Sequence, residues 1–201
     1  MSTEKTVNIA ILTTENDETI ETIIQHFEPF INANITCVIT NSSGDTLSNK
    51  IRRYKTPIYK NITMYKQIDQ ILTHHNIHYI VLSNYLDKIP VNFCKKYQYK
   101  MINLQSSLLP IGEGLYGEKL FSTIKNSGTD VTGISVHFVE PEYNTGTIIF
   151  KKEIKIAEDD TVDDIILKTK ILENKYYPIV IEKTIKGTYK QLYEKEEETN
   201  R

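Results

Sequence analysis

The chain has 201 residues, with 24 Lys and Arg against 26 Asp and Glu, 39% hydrophobic residues and no Trp. That length makes one large domain or two small ones and buries a core without disulfides or metals. A formal charge of -2 excludes the strongly basic balance that makes nucleic acid the default partner, and no apolar run is long enough to cross a bilayer.

The N-terminal MSTEKTVNIAIL enters an apolar segment at once, without the long apolar stretch and cleavage site of a signal peptide, so a cytoplasmic location is expected. Cys37 and Cys94 lack metal-ligand spacing and read as buried free thiols in a reducing compartment.

Val7 to Leu12 is apolar nearly throughout, which predicts a buried strand. After the polar TTEND, Ile20, Ile23, Ile24 and Phe27 recur at helical spacing, with Asp17 as N-cap and Glu18 in the first turn. The unit repeats: strand Ile35 to Ile39, loop NSSGD, short helix Leu47 to Tyr54, short strand Pro57 to Tyr59, helix Met64 to His74 and strand His78 to Leu82. Strands that are apolar without alternation, separated by helices, predict a mostly parallel sheet with helices on both faces.

Val91 to Tyr97 reads as a helix and Met101 to Leu104 as a strand. Val131 to Val139 and Thr147 to Ile156, joined by the turn-rich EPEYNTG, predict an antiparallel strand pair. A long helix from about Thr161 to Lys186 follows, with Ile165, Ile166, Thr169, Leu172, Tyr176, Ile179 and Val180 on its apolar side and a kink expected at Pro178. One domain is expected over residues 1–193, and the charged 194–201, which carries the whole net charge, is expected to be a disordered tail.

Three features bear on chemistry. The stretch after the first strand, TTENDET, has no glycine and three acids, Glu15, Asp17 and Glu18, which would repel a phosphate from the following helix N-terminus. His74, His75 and His78 lie at a predicted helix C-terminus, where positive charge is favoured, and no metal is assigned to them. The strand ending in Asn103 and Gln105, followed by SSLLP, presents polar side chains at the carboxyl end of a parallel sheet, where ligand sites of α/β folds sit.

These segments resemble the 10-formyltetrahydrofolate-dependent formyltransferases, most closely the type acting on glycinamide ribonucleotide. The family motif Asn-x-His-Pro-Ser-Leu-Leu-Pro is matched by Asn103, Ser107, Leu108, Leu109 and Pro110. Its Gly-x-x-Val-His-Phe-Val strand is matched by Gly133, Val136, His137, Phe138 and Val139, its following Asp-x-Gly by Asn144 and Gly146, and a Glu before Tyr-Pro by Glu173. The resemblance implies a Rossmann-like α/β formyltransferase fold over roughly residues 7–190, with 10-formyltetrahydrofolate as formyl donor, an amine as acceptor and no metal. The family's catalytic Asn, His and Asp fall on Asn103, Gln105 and Asn144, so both titrating positions are neutral amides here.

The resemblance also implies folate contacts at Leu86, Asp87 and Ile89 and in the loop containing Glu140 and Glu142. Asp87, where an Arg is usual, disfavours the acidic tail of a folate. Among Glu113, Glu140, Glu142, His137 and Glu173 as replacement acid or base, Glu173 is the best placed, while His137 reads as structural. Three functions are weighed: an impaired family member kept for a small ligand or a protein partner, an active N-formyltransferase on an unusual amine such as an amino sugar nucleotide, and a plain nucleotide-binding module.

Overall fold

A strand buried on both faces sets the architecture. In β1 (Val7–Thr13) the residues Ile9, Ala10, Ile11 and Leu12 are all at 0% exposure, the pattern of a parallel strand covered above and below. The computed structural model describes residues 6–14, 17–30, 32–112, 114–141 and 146–187. Contacts gather the chain into two compact units, residues 1–104 with 138–147 and residues 105–137 with 148–201.

The first unit contains β1, α1 (Glu18–Phe27), β2 (Ala33–Thr40), α2 (Thr46–Ile51), a 3-10 turn at Arg52–Tyr54, β3 (Ile58–Tyr59), α3 (Tyr65–His74), β4 (Tyr79–Leu82), α4 (Val91–Lys96) and all but the last residue of β5 (Met101–Gln105). Its strands lie in the order β3-β2-β1-β4-β5, every pairing parallel. Ala10, Leu12, Cys37, Ile39, Ile80 and Met101 form one face, against which α3 and α4 place Ile68, Leu72, Phe93 and Tyr97. Side chains alternate across a strand, so Ile9, Ile11 and Val38 point to the opposite face. There α1 packs on β2 and buries Ile20, Ile23, Ile24 and Phe27.

The second unit holds the end of β5, α5 (Gly117–Asn126), most of β6 (Val131–Phe138), β7 (Ile148–Lys155) and α6 (Val162–Ile185). β6 and β7 are antiparallel, with Val131 opposite Lys155 and Val136 opposite Phe150. Leu120, Phe121 and Ile124 of α5 pack with Ile156 and with Ile165 of α6. A capping box opens α6: the Thr161 hydroxyl accepts from Asp164 N–H, and the Asp164 carboxylate accepts from Thr161 N–H. The backbone donors of Thr161 and Asp164 are thereby satisfied reciprocally.

The mostly parallel sheet with helices on both faces and the antiparallel strand pair are as the sequence predicts. α5 is an addition, hidden by Gly112 and Gly114 in the stretch before it and by Gly117 at its first position, which read as loop. α6 runs as one helix through Pro178, and its buried side is Ile165, Thr169, Leu172, Glu173, Tyr177, Val180, Ile181 and Thr184. The expected Tyr176 and Ile179 flank that side instead, and Ile179 is 37% exposed. The 3.6-residue repeat, continued without interruption past the proline, selects Tyr177 and Ile181. Residues 194–201 lie outside the described residues, and among those described no helix is long and apolar enough to cross a membrane.

Gly133 is required where β6 meets β7: an added Cβ would lie 2.0 Å from the Lys152 carbonyl oxygen. Gly133→Ala is expected to destabilise the protein by at least about 1–3 kcal/mol, as overpacking of a rigid contact does, measured as a lower urea midpoint. Both cysteines are buried, and burial pushes the Cys37 thiol up to about 12. The thiolate is the reactive form, so Cys37 of the native protein should resist iodoacetamide at pH 8 and react once urea unfolds the chain, as followed by mass spectrometry.

Candidate functional site

In the second unit the chemistry gathers at the end of β5. Gln105 is 2% exposed, and its Nε2 donates to the carbonyls of Gly112 at 3.4 Å and Leu115 at 3.2 Å. A primary amide nitrogen has two N–H donors, and both are spent on the loop that follows. Gln105 thus acts as a strut for that loop.

The SSLLP turn is held by a second set of bonds. Ser135 Oγ on β6 accepts from Leu109 N–H at 2.9 Å and donates to the Ser107 carbonyl at 2.8 Å. Ser107 Oγ donates to the Ile111 carbonyl at 2.6 Å, and Lys151 Nζ donates to the Leu109 carbonyl at 2.6 Å. The Leu109–Pro110 peptide is cis. These bonds tie the turn to the strand pair and satisfy the Ser107 carbonyl and both main-chain polar groups of Leu109.

Glu173 lies at the middle of α6 and is 6% exposed. Ser106 Oγ donates to its Oε1 at 2.5 Å, and Lys170 Nζ lies 3.1 Å from its Oε2. The Ser106 distance fits a charge-assisted hydrogen bond to a carboxylate, and the Lys170 ammonium is near enough for an ion pair. Ser106 stands where the motif quoted above carries Pro, and that departure is the one sequence signal that could have singled it out. The structure therefore links Glu173 to the motif through a residue that the motif comparison passes over. His137 is buried in β6, in keeping with a structural part.

In the first unit Asn103 is half-buried on β5 opposite Leu82 of β4. The segment after β4 carries Leu86 and Asp87, both exposed, and Ile89, which packs against the α3 and α4 side of the core. Leu86 N–H donates to Thr14 Oγ1 at 2.9 Å, and Asn41 Nδ2 donates to Asp87 Oδ2 at 2.8 Å. Glu140 Oε1 accepts from Thr147 Oγ1 at 3.2 Å and from Thr147 N–H at 3.4 Å, so it braces its own loop. Asn144, Glu142 and Glu113 lie outside the described residues.

The N-terminus of α1 is closed by its own residue. Asp17, 7% exposed, caps the helix by accepting from Thr19 N–H at 3.1 Å through Oδ1, while Oδ2 accepts from Ser83 Oγ at 2.5 Å. Glu18 is exposed and turned to Lys50 at 3.5 Å. The histidines serve the fold: His78 Nδ1 accepts from Asn8 N–H at 2.9 Å, and His75 Nε2 shares a hydrogen bond with the Tyr59 hydroxyl at 2.7 Å. Among the described residues no cluster of His, Cys, Asp and Glu could hold a metal.

A sequence profile of the formyl transferase family matches residues 7–181. The chain belongs to the formyl transferase family. It is 29% identical to the chloroplastic phosphoribosylglycinamide formyltransferase of Arabidopsis thaliana over 117 residues, 57% of this chain and 40% of that protein; it thus aligns with less than half of that relative's length. The phosphoribosylglycinamide formyltransferase structure of Anaplasma phagocytophilum superposes with a TM-score of 0.81 at 21% identity, covering 89% of this chain and 86% of that one. A formyltetrahydrofolate deformylase of Pseudomonas syringae pv. tomato superposes with a TM-score of 0.78 at 18% identity, over 93% of this chain and 62% of that one. At such identities the superpositions speak for the fold, which several activities share.

Removing the Glu173 carboxylate tests how much the Ser106 and Lys170 contacts hold. Glu173→Ala leaves a hydroxyl and an ammonium without this acceptor and should cost about 1–3 kcal/mol of stability, whereas Glu173→Gln, which can still accept from Ser106, should cost less. Urea unfolding of the two variants measures the difference.

Proposed function

We propose that this chain is a formyl transferase fold in which the family's titrating route for formyl transfer is disabled, leaving a protein impaired toward glycinamide ribonucleotide and kept for binding a small ligand or a protein partner. The observation that carries this reading is Gln105. At the position of the family's catalytic His it offers an amide that cannot titrate, and both of its donors are committed to Gly112 and Leu115.

Transfer of a formyl group to an amine develops an oxyanion and requires a proton to leave the new ammonium. Asn103 can donate to an oxyanion. Gln105 and Asn144 cannot accept and release the proton. Loss of positioned acid and base catalysis costs about 10²–10⁴ in rate, or roughly 3–5 kcal/mol of barrier.

The formyl group in this reading comes from 10-formyltetrahydrofolate. Exposed Leu86 and half-buried Ile89 offer it apolar contact after β4, with Glu140 and Glu142 in the second loop, while the carboxylate of Asp87 opposes the acidic tail of a folate. The residues thus fit the ring system of the donor better than its tail.

A second reading is favoured by the Ser106 and Glu173 contact. A buried carboxylate bonded to a hydroxyl can take a proton relayed through that hydroxyl, which would make the chain an active N-formyltransferase on another amine, such as an amino sugar nucleotide. Release of tetrahydrofolate across a panel of amines separates the two readings, with Glu173→Gln as the control that silences only the second.

For the first reading the expected outcome is turnover on glycinamide ribonucleotide lower by about 10²–10⁴ than that of a relative retaining the His and Asp. Gln105→His with Asn144→Asp should remain without measurable turnover on this substrate, because the acids of the Glu15 to Thr19 stretch still oppose its phosphate. Robust turnover by the unmodified protein would sink the impairment reading.

A further inference from the structure

In the first unit the chain runs outward from β1 to β2 and β3, then crosses back to place β4 on the other side of β1. The order reverses between β1 and β4. Open α/β sheets bind ligands in the crevice outside the carboxyl ends of the strands at such a switch point, and an anion is the usual guest because the helix N-terminus there presents free N–H groups and partial positive charge. α1 has ten residues and starts at this place.

Here the crevice already holds an anion. Asp17 reaches Thr19 N–H on the β1 side with one carboxylate oxygen and Ser83, the residue directly after β4, with the other. Both residues are buried, Ser83 at 3% exposure. The bridge spans the two strands between which the order reverses, so the carboxylate does more than cap a helix: it uses the donors that a ligand anion would need. The Thr19 hydroxyl, in the same first turn and buried, has no hydrogen-bond partner among the described residues.

We propose that Asp17 is a specificity-determining residue whose buried carboxylate takes the place of a ligand anion at the switch point, so that the ligand accepted beside β1 and β4 is uncharged or cationic there and phosphate monoesters are excluded. The inference rests on the reading of the chain as a formyl transferase fold kept for a small ligand, and it names the class of that ligand.

The test is a titration of nitrogen-15-labelled protein with inorganic phosphate at neutral pH, reading the amide signals of Thr19, Ile20 and Ser83. The unmodified protein should show no saturable change. Asp17→Ser, which keeps a capping oxygen, removes the charge and opens space, should bind phosphate at least about tenfold more tightly, the factor expected from removing a like charge at contact distance. Saturable binding by the unmodified protein at these amides, or no gain in Asp17→Ser, overturns the inference. Should Asp17→Ser fail to fold, Asp17→Asn is read in the same way, and absence of a gain there also overturns it. Formyl transfer forms no part of this readout, so an inactive protein still answers it. Turnover of a phosphorylated amine by the unmodified protein would refute the exclusion and the impairment reading together, whereas saturable phosphate binding without turnover would refute the exclusion alone.

Discussion

The need to cover β1 on both faces is the constraint from which the first unit follows. Ile9 to Leu12 leave no side chain for water, so the strand requires neighbours at both edges and helices above and below. Parallel neighbours need crossover helices, and those crossovers supply α1 on one face and α3 on the other. With β2 on one side of β1 and β4 on the other, the carboxyl ends of β1 and β4 become the place where two loops meet. Asp17 and Ser83 are the residues the two loops bring there.

The second unit shows how a turn at the end of a strand is held by side chains from both sides. Ser135 bonds Leu109 and Ser107, and Gln105 bonds Gly112 and Leu115, so the turn after β5 is fully braced. A His at this position could not make the same pair of bonds, because a neutral imidazole has only one donor. Gln105 therefore serves as a structural strut, and the strut in turn fixes the loop that carries Gly112, whose φ of +75 and closeness to Leu120 exclude a side chain.

Much of this was legible in the sequence. Continuous apolar strands at Val7 to Leu12 and His78 to Leu82, the helical spacing of Ile20, Ile23, Ile24 and Phe27, and the Asp17 cap are all local signals, and each corresponds to an element of the structure. The family motifs located the turn after β5. α5 escaped because the glycines ahead of it read as loop, and the buried side of α6 was misassigned at Tyr176 and Ile179 because a proline in the pattern obscured the repeat. Ser106 escaped for a different reason: its partner Glu173 is 67 residues away, and a serine in a turn has no local signature of what its hydroxyl touches.

The sequence by itself determined the fold class, because periodicity and propensity act over a few residues and a buried strand must be apolar wherever it occurs. It also determined that residues 105 and 144 are neutral amides, since that is a matter of residue identity. Only the tertiary structure decided what those side chains do. Whether Gln105 donates to a ligand or to its own loop, and whether Asp17 merely caps a helix or also bridges to Ser83, depends on which groups folding brings within about 3 Å, and that distance joins residues far apart in the chain.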